Sequence, residues 1–406
     1  MKFSDYRISD LLKEQLELMG YKKPTDIQFK TISHVLNGED VMAVAQTGTG
    51  KTAAYVIPIL NQIITTKAKK KGISCLVMVP TRELAFQIAG VFNEIGKKSK
   101  VKVLGLHGGV DQENQIRELE SGIDVLVSTP GRMFDLISQG FIDISSLKFL
   151  VLDEADLMLD LGFNKDIQDV LKKVPKNRQT LFFTATISRK IKTLAYNVVK
   201  DAIRIQISPK NPVSKNVDHA VAFIEMDDKR FFLENILKEY ESKKFIVFVR
   251  TKVRVERVVA AMERVMLSTE ALHGGIDQSK RFEILERFRT GDNNVLITTD
   301  VAARGIDIPT VDYVINYDLP ENPESYVHRC GRTGRGTKKG QALSFCSEDE
   351  KSLLLEIEEY TGESIPKYDL DKNDYLAIIR DSEDGSYDWK KMINESNLED
   401  GTEDRW

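Results

Sequence analysis

Apolar positions along the chain follow two rhythms. Short uninterrupted runs, at Val41–Ala45, Cys75–Val79, Phe149–Leu152, Leu181–Phe183 and Phe245–Val249, show no polar alternation. That is the pattern of strands buried on both faces, as in parallel sheets. Between the runs lie stretches with helical spacing, including Ala53–Ile64, Glu350–Tyr360 and an N-terminal segment whose Ile8, Leu11, Leu12 and Leu16 share one side. Pro24 followed by Thr25 marks a further helix start. The second half repeats the first at coarse grain. Phe245 to Thr251 matches Cys75 to Thr81 at a displacement of 170 positions, and His273 to Gln278 matches His107 to Gln112 at 166. Buried strands alternating with helices, twice over, predict two tandem α/β domains with parallel sheets. Pro209, Asn211, Pro212 and Ser214 cluster between the halves and predict the break. The expected organisation is a first domain over 1–208, a linker over 209–216, a second domain over 217–365 and a flexible acidic tail over 366–406.

Composition narrows the class. The chain has 406 residues, 41% of them hydrophobic and 30% charged, with a mean hydropathy of -0.28. No stretch reaches the roughly 18 apolar residues of a membrane span, and the N-terminus lacks the apolar core of a secretory signal. The three cysteines, Cys75, Cys330 and Cys346, have no metal-ligand spacing. Cys75 and Cys346 sit in apolar strand-like runs and read as buried thiols, and the odd count points to a reducing compartment, which predicts a cytoplasmic protein. A net charge of -4 argues against a nucleic-acid binder until its distribution is considered. From Asp371 onward there are 11 acidic and 5 basic residues, so that segment carries -6 and the rest of the chain +2. A weakly positive body can hold a basic groove, although composition alone does not show one.

The chemistry starts at Ala45-Gln46-Thr47-Gly48-Thr49-Gly50-Lys51-Thr52, between a predicted strand and a predicted helix. Strand, Gly-rich turn and Lys-Thr at a helix start form the setting of a phosphate-binding loop, although Ala45 stands where the strict pattern has Gly. Gly48 and Gly50 let successive backbone N–H groups turn towards phosphate oxygens. The helix N-terminus adds partial positive charge. Lys51 suits the β/γ-phosphates, and the Thr52 hydroxyl suits Mg²⁺. Asp153-Glu154-Ala155-Asp156 supplies the complement at the end of another strand. Asp153 is placed to hold Mg²⁺ and Glu154 to polarise a water. The Gln28 amide can donate and accept at once, which suits an adenine edge, but a plain surface glutamine fits the same observation. Loops containing Pro80-Thr81-Arg82, His107-Gly108-Gly109 and Thr129-Pro130-Gly131-Arg132 follow apolar strands, and Thr184-Ala185-Thr186 follows Leu181–Phe183.

The second half has no Gly-Lys-Thr; it offers arginine instead. Arg329, Arg332 and Arg335 recur at a spacing of three. On a helix they would lie near one face, and guanidinium forks suit a transferring phosphoryl group. A solvated basic helix is the competing reading.

Taken in order, Gln28, the phosphate loop, Pro80 to Ala85, Thr129 to Arg132, Asp153 to Asp156 and His328 to Arg335 resemble the motifs of DEAD-box ATP-dependent RNA helicases, with a subgroup likeness to bacterial RhlE-like proteins. The resemblance spans Phe3 to Ser347. It implies a P-loop NTPase fold of two RecA-like domains with ATP between them. It further implies that Tyr21 and Gln28 recognise adenine, with Phe3 as the upstream aromatic. The loop residues Ala45, Gln46, Thr47, Gly48, Thr49, Gly50, Lys51 and Thr52 would hold ATP and Mg²⁺ together with Asp153. Gly305 and Asp307 would meet the nucleotide from the second domain, and Arg332 and Arg335 would act as arginine fingers. RNA would run along Pro80, Thr81, Arg82, Gly109, Thr129 and Arg132 on the first domain, and along Arg250, Gly275, Arg281 and Thr298 on the second. Thr184 departs from the family's more usual serine but keeps the hydroxyl, and Cys330 replaces an aliphatic residue.

The mechanism implied is ATP-driven domain closure on RNA, with hydrolysis releasing it. Moving from 1% to 99% closed takes about 5.5 kcal/mol of differential binding, and a stacking step is worth about 1.4 kcal/mol. One closure could thus disrupt about four steps, so local separation of short duplexes is expected rather than processive travel. An ATP-gated clamp that remodels ribosomal or messenger ribonucleoproteins uses the same motifs. A DNA helicase fits less well, because the resemblance implies contacts sensitive to the 2′-OH. The expected state is a monomer without a membrane partner.

Overall fold

Alternate residues of the first unit's central strands enter opposite cores. In the computed structural model Val41 and Ala43 join one apolar cluster while Met42 and Val44 join another; Cys75 and Val77 divide from Leu76 and Met78 in the same way. A strand covered on both faces needs apolar residues at every position, which is why these runs lack alternation. The structure describes residues 1–382 except 47, 67–71, 107, 109–111, 208–212, 214–215, 304–307, 309–310 and 335–338.

The chain divides into two units, the first built mainly from residues 1–210 and the second from later residues. The first unit contains β1 (Val41–Val44), β2 (Cys75–Met78), β3 (Val103–Leu106), β4 (Val125–Ser128), β5 (Phe149–Leu152), β6 (Gln179–Thr184) and β7 (Ile203–Gln206). They form one sheet in the order β3-β4-β2-β5-β6-β1-β7, with every pairing parallel. Helices Asp26–Leu36, Lys51–Thr65 and Arg82–Ile95 supply residues to one core; Pro130–Ser138, Asn164–Lys173 and Arg189–Val198 supply the other.

The second unit contains β8 (Val217–Phe223), β9 (Phe245–Phe248), β10 (Glu270–Leu272), β11 (Val295–Thr298), β12 (Tyr313–Asn316) and β13 (Gly340–Cys346). Its order is β10-β11-β9-β12-β13-β8, again wholly parallel. All three cysteines are buried free thiols. Among the described residues no helix is long and apolar enough to cross a membrane.

The expectation of a flexible tail from residue 366 is corrected over part of its length. Residues Lys372–Asp381 form a helix, capped by the Asp371 carboxylate on the N–H groups of Asn373 and Asp374. Tyr375 packs on Phe232 at 4.9 Å and donates its hydroxyl to Asp228 at 2.7 Å. Ser382 hydrogen-bonds Glu234. Tyr375 and Ile378, three apart on the helix, are partly buried and pack against the second unit's core. The acidic composition around them masked this apolar pair.

Candidate active site

In a parallel sheet every strand ends at the same edge, and the loops leaving that edge build the site. Strands β5, β6 and β1 are neighbours, with Val44 opposite Thr184 and Leu152 opposite Phe182. The phosphate loop, Asp153-Glu154 and Thr184-Ala185-Thr186 therefore leave adjacent strand ends. Strands β3, β4 and β2 form the other half of the sheet and deliver the loops at Gly108, Thr129 and Pro80.

Lys51 opens its helix, as the Lys-Thr helix start predicts, and is only 7% exposed. Its Nζ donates to the Ala45 carbonyl at 2.8 Å. The loop thus satisfies its own cation from within. Thr49 braces the loop through its hydroxyl on the Gln46 carbonyl at 2.7 Å. Gly50 sits at φ 91, where a Cβ would lie 2.5 Å from Gln28 Nε2. Left-handed backbone and close approach both require glycine here.

Gln28 is 4% exposed, which rules out the surface-glutamine reading. Its Oε1 accepts from Thr25 N–H at 2.9 Å, closing a capping box. Its Nε2 donates to Gly50 O at 3.1 Å. The same amide therefore caps a helix and touches the phosphate loop. Phe3 is buried edge-on to Tyr21, with ring centroids 5.7 Å apart. Its ring backs Tyr21, a partly buried residue.

Asp153 is buried with a donor on each oxygen. Tyr55 Oη donates at 2.8 Å to Oδ2, and the Glu154 N–H donates at 2.9 Å to Oδ1. Burial pushes the Asp153 carboxyl above its ordinary value, although Lys51, Tyr55 and the Glu154 N–H all pull it down. Tyr55, absent from the sequence reading, is itself fully buried, and its phenol is raised by burial and by Asp153. Only its position, four residues after Lys51 on one helix, hinted at this role. Glu154 adopts φ 50 and ψ 51 at the N-cap of helix Ala155–Asp160. A non-glycine residue in this region carries about 1–3 kcal/mol of strain, a feature that clusters at functional sites.

Asp156 joins two motifs. Its Oδ2 accepts from Ala185 N–H at 3.1 Å and Thr186 N–H at 3.0 Å, and the Thr184 hydroxyl donates to Thr186 O at 3.0 Å. Thr184 thereby does with its hydroxyl what a serine could do. On the other half of the sheet, Thr81 caps helix Arg82–Ile95 by accepting from Leu84 N–H. Gly108 lies against the Arg82 guanidinium, where a Cβ would be 3.1 Å from Nη2. Pro80 and Thr129 are buried beside these loops. Arg132 is fixed by Gln115, Gln112 and Asp135 at 3.1 to 3.3 Å.

In the second unit, the Gly275 N–H donates to His273 Nδ1 at 3.1 Å, and Arg281 donates to the carbonyls of His273 and Ala302. Thr298 is 0% exposed, and its hydroxyl donates to Leu272 O at 2.8 Å. Neighbouring Thr299 is partly exposed. Helix Pro323–Cys330 stops at Gly331, so Arg329 and Arg332 do not share a helical face. Arg332 is buried beyond the helix end. Arg329 is bidentate to Asp300, at 2.6 Å on both contacts, and also donates to Asn316 and Asp318 O. Removing one partner of a buried pair costs about 3–5 kcal/mol. Arg329→Ala should lower stability by about 3 kcal/mol, near the lower bound because Asp300 is partly exposed. Urea midpoints measure it, and a shift worth under about 1 kcal/mol would deny the pair that structural role. Thr47, Gly109, Gly305, Asp307, Arg335 and most of the expected linker lie outside the described residues.

A phosphate loop and acidic strand end on one parallel sheet, followed by a second parallel-sheet unit, define a P-loop NTPase of two α/β domains. The DEAD/DEAH box helicase model matches residues 25–194, and the helicase conserved C-terminal domain model matches residues 228–337. The chain belongs to the DEAD-box ATP-dependent RNA helicase family. It is 40% identical over 369 residues to the DEAD-box ATP-dependent RNA helicase CshA of Bacillus cereus, covering 90% of this chain and 69% of that protein. It is 39% identical over 383 residues to the ATP-dependent RNA helicase RhlB of Shewanella amazonensis, covering 93% and 87%. Among solved structures, S. cerevisiae Dbp5 bound to RNA and ADP BeF3 matches with a TM-score of 0.81 at 28% identity, covering 93% of this chain and 99% of that one. Two parallel-sheet domains of RecA-like type are thus the architecture.

Proposed function

We propose that this chain is an RNA-stimulated ATPase that separates short RNA duplexes or remodels RNA–protein complexes through ATP-dependent closure of its two domains. The observation that carries the reading is that Lys51 and Asp153-Glu154 leave the ends of β1 and β5, the two strands that flank β6, with Asp156 tying the acidic motif to Thr184-Ala185-Thr186 at the end of β6. In this reading Lys51 leaves Ala45 O for the β/γ-phosphates. Tyr21 and Gln28 recognise adenine. Glu154 orients a water towards the γ-phosphorus; the new P–O bond forms as the bond to the ADP oxygen breaks. Arg332 and Arg335, with Gly305 and Asp307, reach the nucleotide from the second domain on closure.

Asp153 and the Thr52 hydroxyl are hard oxygen donors, and no larger metal-ligating cluster occurs among the described residues. That set fits Mg²⁺, which favours one or two protein oxygens plus substrate phosphates. When bound, Mg²⁺ supplies charge neutralisation at the β/γ oxygens. Tyr55 and the Glu154 N–H hold the Asp153 carboxylate for it.

RNA would be single-stranded or a short duplex, running over Pro80, Thr81, Arg82, Gly109, Thr129 and Arg132, then Arg250, Gly275, Arg281 and the Thr298 loop. A ribosomal or messenger ribonucleoprotein target, a monomeric state, a cytoplasmic location, RhlE-like membership and domain limits at 208, 216 and 365 complete the proposal.

Glu154→Gln keeps the shape and removes the carboxylate. It should retain ATP binding, slow hydrolysis by about 10²-fold and trap the protein on RNA. Single-turnover hydrolysis and RNA dissociation rates measure both. Wild-type turnover would sink the water-orienting role. A strand-displacement assay on a short duplex separates unwinding from clamping.

A further inference from the structure

Beneath Arg250 lies a charged cluster that the proposed reaction does not use. Lys229 is 0% exposed, and its Nζ donates to Tyr317 O at 2.8 Å, Phe345 O at 3.3 Å and Glu350 Oε2 at 2.5 Å. The other Glu350 oxygen, Oε1, accepts from Arg250 Nη2 at 2.7 Å and from Leu319 N–H at 3.1 Å. Glu350 is seated by a capping box with Ser347, at the end of the short turn before helix Lys351–Thr361. Asp318 accepts from the Arg250 N–H at 2.9 Å and holds Arg254 at 2.9 and 2.7 Å.

The charges do not cancel. Lys229, Arg250 and Arg254 face Glu350 and Asp318, three cations against two anions. Arg254 is bidentate to Asp318, and Lys229 shares Glu350 with Arg250. Arg250, whose side chain is 33% exposed, therefore depends on Glu321 outside the buried group for the rest of its balance. Glu321 pairs with Arg250 Nε at 4.0 Å and is largely in solvent, so that pair is weak. A guanidinium with one edge held by a buried carboxylate is pre-oriented, so less rotamer freedom is lost when its remaining N–H groups meet a phosphate.

We propose that Glu350, clamped by buried Lys229, is a positioning residue that holds Arg250 for a phosphate of bound RNA. The inference rests on the reading of Arg250 as an RNA contact. It links the C-terminal closing segment to RNA affinity, without touching the nucleotide.

The test is binding of the full chain to a short single-stranded RNA with a non-hydrolysable ATP analogue, across a salt series. Arg250→Ala should raise the RNA Kd about tenfold and reduce the slope of log K against log salt by about 0.7. Glu350→Gln should raise it about fivefold, with the KM for ATP and kcat at saturating RNA unchanged. In an Arg250→Ala background Glu350→Gln should add nothing, since the residue it orients is gone. Should Glu350→Gln fold poorly with Lys229 left only Asp318, at 3.8 Å, the Lys229→Met/Glu350→Gln pair removes both charges together; it should show the same RNA loss. Wild-type RNA affinity in a folded Glu350 variant, with Arg250→Ala weakened, overturns positioning alone. So does a Glu350 effect that adds fully to Arg250→Ala. Wild-type affinity in Arg250→Ala overturns the RNA-contact reading, and this inference with it.

Discussion

Lys51→Ala should abolish RNA-stimulated ATP turnover, a fall of roughly 10³-fold or more, because no other described cation comes off β1 to meet the β/γ-phosphates. The structure changes what this variant does to stability. Lys51 is nearly buried, and its ammonium donates to Ala45 O. A hydrogen bond from a charged donor is worth about 1.5–3 kcal/mol, but alanine also relieves the desolvation of that charge. A small drop in thermal midpoint is therefore expected, with both units folded. Steady-state ATPase with and without RNA, on protein checked by calorimetry, decides the matter. Retained RNA-stimulated turnover in a folded Lys51→Ala protein would exclude the phosphate-loop assignment.

Arg335→Ala should lose most RNA-stimulated hydrolysis, within the roughly 10³- to 10⁵-fold range of an arginine finger. The two arginines are not equivalent as probes. Arg332 is buried just past helix Pro323–Cys330, beside Thr333, whose hydroxyl donates to Val311 O at 2.5 Å. Its removal would confound packing with chemistry. Arg335 follows Gly334, which sits at φ 63 and would bring a Cβ within 2.6 Å of Val217. The finger hypothesis requires the halves to close over one ATP, and the alternative is a solvated basic segment. A rate loss under about threefold, with unchanged thermal unfolding, would show that hydrolysis does not draw on the second domain. Residues 1–208 alone should still bind nucleotide weakly through the loop.

The strands were legible because burial on both faces leaves no polar alternation, and that pattern survives in one dimension. Legible too were the phosphate loop and Asp153-Glu154, since their chemistry depends on residues close in sequence. Other features were hidden because they depend on side chains meeting across distance. Tyr55 reads as one more aromatic on an apolar helix; only the fold places its hydroxyl on Asp153, 98 positions away. Gln28 reads as a surface amide until the Gly50 approach is seen. The spacing of three among Arg329, Arg332 and Arg335 suggested one helical face, but Gly331 ends the helix and Asp300 claims Arg329. The tail helix at Lys372–Asp381 was masked by acidic composition, because Tyr375 and Ile378 matter only once Phe232 is there to receive them.

By itself, the sequence determined the two parallel-sheet α/β domains, the nucleotide-binding loop and the family, all of which rest on local spacing and burial period. Tertiary structure alone decided which polar groups are buried and paired, and therefore which arginines are structural and which are offered outward. The physical reason is that a buried charge is set by the partners that replace its water, and those partners, such as Glu350 for Arg250 100 positions away, are chosen by the fold rather than by sequence neighbours.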